Sequence, residues 1–230
     1  MFGKFLVVDG VDGSGKATQT KRLVARLRRN GHRVKTIDFP QYYSNFFGKL
    51  IGEYLSGKFG KSSDISPYLI SVVYAADRWE SSKKIKEWLH DGNIVIADRY
   101  ASSNQIHQGG KIKDIKKRTE FLNWLDEMEY KVFDIPRPDA IIYLDVPIVY
   151  SMKMASEKSA HSKKTYLNGK KDIYENDKLH MQNARSSAMD IVSKSNNWVR
   201  INCTDDKGML SIPAIHNMIW KIVNKIINVK

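Results

Sequence analysis

A single cysteine, Cys203, is the whole thiol complement of this 230-residue chain. One thiol closes no internal disulfide and builds no cysteine-based zinc site, so a reducing cytosol is the simplest compartment. Long apolar runs are also missing. No stretch approaches the ~18 uncharged apolar residues of a membrane span, and the opening MFGKFLVVDG is too short in its apolar run for a signal peptide. Repeats, low-complexity tracts and Gly/Ser linkers are absent, which predicts one domain over 1–230. Negative charge is scarce: 25 acids against 38 bases leave a formal +13. A surplus of that size attracts polyanions, whether nucleic acid, an anionic membrane face or phosphate-bearing small molecules. Hydrophobic residues at 42% and charged residues at 27% are ordinary globular values, so wholesale disorder is excluded.

Five short runs are apolar nearly throughout: Phe5–Val8, Val34–Ile37, Ile94–Ala97, Ala140–Leu144 and Trp198–Ile201. They show little strict alternation, which suits strands buried on both faces of a parallel sheet. Helical patterns fall between them, at 16–30, 46–57, 66–90, 101–109, 116–131, 147–158, 173–195 and 209–228. Strand–helix alternation with right-handed crossovers predicts an α/β fold, a five-stranded parallel sheet with helices on both faces. Ligands in such sheets bind beyond the carboxyl ends of the strands, so the residues just after each run are where chemistry is expected.

After the first run, Gly10-Val11-Asp12-Gly13-Ser14-Gly15-Lys16 fits G-x-x-x-x-G-K, with Ala17 in place of the usual hydroxyl residue and Thr18 next. Glycines let successive backbone N–H groups converge on a polyphosphate at the positive end of the following helix, and Lys16 would reach the β- and γ-phosphates. Loss of the hydroxyl at Ala17 removes one Mg²⁺ ligand, and Asp12 is the nearest carboxylate. The second run leads into Phe39-Pro40-Gln41-Tyr42, where Pro40 sets the exit direction and its X-Pro bond is open to the cis form. Tyr74 and Arg78 are four apart and so share a helix face, suited to a ring stacked on a base and a guanidinium gripping a phosphate. Plain surface packing would give the same spacing.

The third run ends in Asp98-Arg99-Tyr100. An acid at that strand end, beside a phosphate loop, is well placed to orient Mg²⁺ through water. Ser103, Asn104, His107 and Gln108 follow, with amide and imidazole groups suited to a base edge, before Gly109-Gly110, which would otherwise be a helix C-cap. Beyond the fourth run lie Lys158, Lys163, Lys164, Lys170 and Lys171. They form either a solvated basic loop or a lid over phosphates, at about 158–172. Asp172 and Glu175, three apart, read as a capping box opening the next helix.

In order and spacing these segments resemble the thymidylate (dTMP) kinase family of P-loop nucleoside monophosphate kinases, from Phe5 to the terminal helix. The resemblance implies the reaction ATP + dTMP → ADP + dTDP with Mg²⁺, a cytoplasmic enzyme and a homodimer. It implies a phosphate site at Gly10, Val11, Asp12, Gly13, Ser14, Gly15, Lys16, Ala17 and Thr18. It implies a dTMP site from Asp12, Phe39, Pro40, Tyr42, Tyr74, Arg78, Arg99, Ser103, Asn104, His107 and Gln108. In it Tyr74 stacks on thymine and Arg78 holds the acceptor phosphate. Lys16, Arg99, Asp12 and Asp98 would carry catalysis, the two acids also serving the metal, directly or through water. His107 stands where the family usually has Tyr, a position implied to crowd out a ribose 2′-hydroxyl. Neither the loop nor the lid holds an Arg, so a lid lysine would take over the charge the family supplies there. Two other readings remain: a kinase for another nucleotide or a nucleoside, and a P-loop ATPase or nucleic-acid binder. The second lacks an interleaved basic and aromatic array, so neither nucleic acid nor membrane is expected as a partner.

Overall fold

The computed structural model describes residues 3–62, 64–161, 165–167, 172–174 and 177–228, with the side chains of 158–161 left out. The five apolar runs are strands β1 (Phe5–Asp9), β2 (Val34–Asp38), β3 (Ile94–Asp98), β4 (Ala140–Asp145) and β5 (Trp198–Asn202). They form one parallel sheet in the order β2-β3-β1-β4-β5. The order reverses at β1, so the crevice beyond β1, β3 and β4 is where such a sheet binds ligands.

Each strand runs one residue past its predicted end, and in four of the five that residue is aspartate: Asp9, Asp38, Asp98 and Asp145. An acidic strand edge needs cations facing it. Arg185 and Arg200 close on Asp145, with contacts of 2.7 and 2.6 Å, and Lys16 and Arg99 serve the centre.

Alternate strand residues build two cores. Phe5, Val7, Val95, Ala97, Ile141 and Tyr143 face α3 (Pro67–His90), α4 (Ala101–His107) and α7 (Lys178–Val192). Leu6, Val8, Ile96, Ile142 and Leu144 face α1 (Lys16–Arg29) and α8 (Ile212–Asn228). Helix α8 shows why: Ile215, Ile219 and Val223 recur every fourth residue and are all buried. Helix α2 (Phe46–Leu55) and the single turn Thr165–Leu167 share a smaller cluster, where Leu167 packs with Ile51, Tyr54, Leu55 and Ile70.

Helix bounds shift by a few residues in several places, and three of the differences have an identifiable cause. The segment 116–131 is α5 (Ile115–Glu127) followed by a wide π turn, Met128–Val132, which breaks the 3.6 period. The segment 101–109 stops at His107. There Gly109 and Gly110 form a 3-10 turn with Lys111, and a Cβ on Gly110 would lie 2.8 Å from the backbone of α7. These glycines serve close helix approach, not a helix cap. Helix α7 begins at Lys178, not 173. Asp172 instead accepts the Tyr174 N–H locally at 2.9 Å, and Asp177 caps the helix by accepting the His180 N–H at 2.9 Å. The Asp172 capping box is thereby corrected; Glu175 lies outside the described residues. Helix α6 (Ile148–His161) follows β4, and a short antiparallel pair, β6 (Thr204–Asp205) and β7 (Gly208–Met209), precedes α8.

Candidate active site

The phosphate loop joins β1 to α1. Gly13 and Gly15 hold φ of 76° and 84°, the left-handed region that side chains resist. Lys16 is buried, and its Nζ donates to the carbonyls of Gly10 and Val11, both at 3.0 Å. Burial, then the nearby Arg99, pulls its pKa from 10.5 to about 8, against the opposing pull of Asp12, Asp98 and Asp9. The Ser14 hydroxyl is buried with no hydrogen-bond partner among the described residues, a donor inside the loop beside its backbone N–H groups. Ala17 and Thr18 are exposed on the first turn of α1.

Arg99 occupies the centre, at φ 68°, a left-handed conformation held by a non-glycine residue. One guanidinium nitrogen donates to Asp12, and the other lies 3.0 Å from His107 Nε2 and 3.8 Å from Asp9 Oδ1. Burial works against its charge, but Asp12, Asp9 and Asp98 together hold its pKa above the ordinary arginine value. Asp9, wholly buried, also accepts from Gly10 N–H at 2.8 Å and from the hydroxyls of Ser102 and Ser103 at 2.6 and 2.8 Å. Burial raises the pKa of Asp98, opposed by Lys16 and Arg99.

A second part of the candidate site begins at the cis Phe39–Pro40 bond. Asp77, buried on α3, accepts the Gln41 N–H at 3.2 Å and so pins the turn that presents Tyr42. The Tyr42 ring stacks on Tyr166, centroids 3.8 Å apart and 3° from parallel. Burial raises the pKa values of Tyr42 and Tyr74 well above the ordinary value, so both remain neutral phenols.

Arg78 points inward from α3. Its Nε and Nη2 donate to the two oxygens of Glu129, each at 2.7 Å. Asn104 Nδ2 donates to the same carboxylate at 3.0 Å and to Ser71 O at 3.1 Å. The Gln108 carbonyl oxygen and the Tyr100 hydroxyl are buried and have no hydrogen-bond partner among the described residues.

The predicted residues do not all turn the same way. Lys16, Asp12, Asp98, Arg99 and His107 form one electrostatic group. The Ser103 hydroxyl is engaged by Asp9, and two donors of Arg78 by Glu129. Lys163, Lys164, Lys170 and Lys171 lie outside the described residues, as does the side chain of Lys158. Sequence reasoning missed Asp9, Glu129, Tyr166 and His180. Only Asp9 carried a signal, as an acid closing a strand before a phosphate loop.

Among the described residues no three His, Cys, Asp or Glu side chains gather into a metal cage. A Mg²⁺ that arrives with a nucleotide needs only one or two carboxylates beside phosphate and water oxygens, and the hard oxygen donors of Asp12 and Asp98, both near Lys16, fit that demand. No helix among the described residues is long and apolar enough to cross a membrane.

A family model described as "Thymidylate kinase" matches residues 8–211. The chain is similar to the thymidylate kinase of Homo sapiens, 32% identical over 167 residues, 73% of this chain and 70% of that protein. It is similar to that of Plasmodium falciparum (isolate 3D7) at 31% over 226 residues, 97% of this chain and 91% of the other. The solved structure of the Candida albicans thymidylate kinase superimposes with a TM-score of 0.73 at 23% identity, over 97% of this chain and 92% of that one, which supports the fold. On the extent of the model match and these identities, the chain belongs to the thymidylate kinase family and uses ATP to phosphorylate dTMP to dTDP.

Proposed function

We propose that this chain selects its acceptor by a two-point reading of the thymine edge, and the buried Arg78–Glu129–Asn104 network is the observation that carries the reading. Asn104 Nδ2 has two acceptors, Ser71 O and Glu129 Oε1, so the amide orientation is set and Oδ1 remains as an acceptor. Arg78 spends Nε and Nη2 on Glu129, so Nη1 remains as a donor. One acceptor beside one donor complements thymine N3–H and O4; cytosine presents the reverse pattern. Glu129 neutralises Arg78, which suits a neutral base better than a phosphate dianion. The acceptor phosphate then falls to Arg99, with Tyr42, Tyr74, Phe39 and Pro40 walling the nucleoside, and Gln108 and His107 completing the pocket. The Ser103 hydroxyl, held by Asp9, supports the wall from behind.

In transfer, the acceptor phosphate is itself the nucleophile and is anionic near neutral pH, so no general base is needed. Catalysis is positioning and charge neutralisation. Gly10 to Thr18 hold the donor phosphates with backbone N–H groups, Lys16 faces the β- and γ-phosphates, and Arg99 bridges toward the acceptor. Mg²⁺ supplies further neutralisation, and Asp98 and Asp12 are the carboxylates suited to orient it, directly or through water. One or more of Lys158, Lys163, Lys164, Lys170 and Lys171 supply the charge that an arginine would otherwise bring.

A homodimer is supported by an exposed apolar face. Leu69, Val72 and Trp79 fall on one side of α3, with Phe46 exposed on α2. The free Cys203 suits a cytoplasmic location. A coupled assay across dTMP, dUMP, UMP, CMP and thymidine tests the substrate reading. A clear preference for dTMP with CMP among the poorest acceptors is expected; equal rates on CMP and dTMP would overturn it.

A further inference from the structure

Arg99 is steadied by an imidazole as well as by acids, and that imidazole is itself steadied. His107 Nε2 lies 3.0 Å from Arg99 Nη1, and His107 Nδ1 lies 3.2 Å from Nε2 of His180, which reaches across from α7. An arginine nitrogen only donates. His107 Nε2 must therefore accept, its proton must sit on Nδ1, and His180 Nε2 must accept that proton in turn. Both rings are thus neutral and both carry hydrogen on Nδ1. A proton added at either Nε2 would set N–H against N–H.

The surroundings agree with this order. Burial first, then Arg99, holds His107 well below the ordinary histidine pKa, with Lys16 adding to the effect and Asp12 opposing it. Burial and then Lys111 bring His180 down to about 4, with Arg99 adding and Asp177 and Asp12 opposing. The His180 ring is also fixed in place. Its own backbone N–H is capped by Asp177 at 2.9 Å, and its face lies on Tyr174, centroids 4.2 Å apart. The Tyr174 hydroxyl in turn meets that of Tyr54 at 2.5 Å.

We propose that His180 is a positioning residue for phosphoryl transfer: by accepting from His107 it selects the His107 tautomer that can accept from Arg99, and so aims the guanidinium at the acceptor phosphate. The proposal rests on the reading of Arg99 as the acceptor-phosphate clamp. It differs from a packing role because it depends on one lone pair, not on ring volume.

Three variants and one spectrum test it. His180→Phe keeps a ring for Tyr174 but removes the acceptor, and should raise KM for dTMP by about fivefold, the worth of one neutral hydrogen bond, with KM for ATP unchanged. His180→Gln retains an acceptor oxygen and should recover most of that loss. Imidazole ¹⁵N spectra of the wild type at neutral pH should show His107 and His180 as Nδ1–H tautomers, with His107 losing that signature in His180→Phe. Arg99→Ala separates the two readings. If it leaves KM for dTMP unchanged, the clamp reading fails. If it raises KM while His180→Phe matches the wild type, or if His107 is found as the Nε2–H tautomer, the role of His180 is overturned.

Discussion

The guanidinium of Arg78 meets the carboxylate of Glu129 through two 2.7 Å hydrogen bonds between residues 51 positions apart, with both side chains almost wholly shielded from water. Such a pair is costly to assemble and more costly to halve, because the surviving charge has nowhere to go. Glu129→Ala should therefore destabilise the fold by about 3–5 kcal/mol, measured by urea unfolding. Glu129→Gln keeps the shape and should lose less. In both, the carboxylate that helps Ser71 O orient the Asn104 amide is gone, so discrimination between dTMP and CMP should narrow in whatever fraction remains folded.

Lys16 imposes a pH limit. Its amine is charged below its pKa, and the folded value of about 8 lies under the ordinary 10.5. Between those values the folded chain binds fewer protons than the unfolded chain, so this group makes stability rise with pH across the same window. The cation proposed to face the phosphates is lost over that window. The kcat/KM for ATP, which reports the free enzyme, should therefore fall on raising pH through about 8. Lys16→Arg should abolish that basic limb, and Lys16→Ala should lower kcat by about 100-fold or more.

The apolar side of α3 yields a test in solution. Replacing both Leu69 and Trp79, 68% and 51% exposed, by Glu places charge on the face proposed to pair with a second copy. Sedimentation equilibrium should show the mass halved, with far-ultraviolet circular dichroism unchanged. A wild-type chain that sediments as a monomer would remove the dimer.

The lysines proposed to serve as a lid are separable by substitution. Alanine at Lys158, Lys163, Lys164, Lys170 and Lys171, singly and in pairs, should reveal at least one combination that lowers turnover without moving the thermal midpoint. If every combination leaves turnover intact, the segment has no catalytic part.

What was legible in the chain followed local rules. The runs of β1, β3 and β4 marked strands because a strand covered on both faces has no polar side to interrupt the run, whereas the edge strands β2 and β5 expose Lys35, Thr36 and Arg200. The phosphate loop was legible because its glycines and Lys16 fall within the seven residues 10–16. What escaped was set by contacts between distant segments. Glu129 sits on a π turn, where the helical period that would have assigned it a face is broken. His180 meets His107 across 73 residues. Nothing near Arg78 in sequence reveals Glu129, 51 residues away, the acid that motivates the base-reading role proposed above. Asp172 and Glu175 matched a capping pattern, yet Asp177 capped the helix, since several acids in one stretch compete for the same role.

Gly13 adds a qualification to the motif that first pointed to phosphate. A Cβ there would fall 1.9 Å from the carbonyl oxygen of Ser151 on α6, so the loop and that helix touch backbone to backbone. The residue consequently answers two independent structural demands, a left-handed loop conformation and the close approach of a neighbouring helix. A descendant that lost all use for nucleotide would still be obliged to keep this glycine. As a diagnostic, Lys16 carries information about chemistry that Gly13 does not, although both are letters of the same signature.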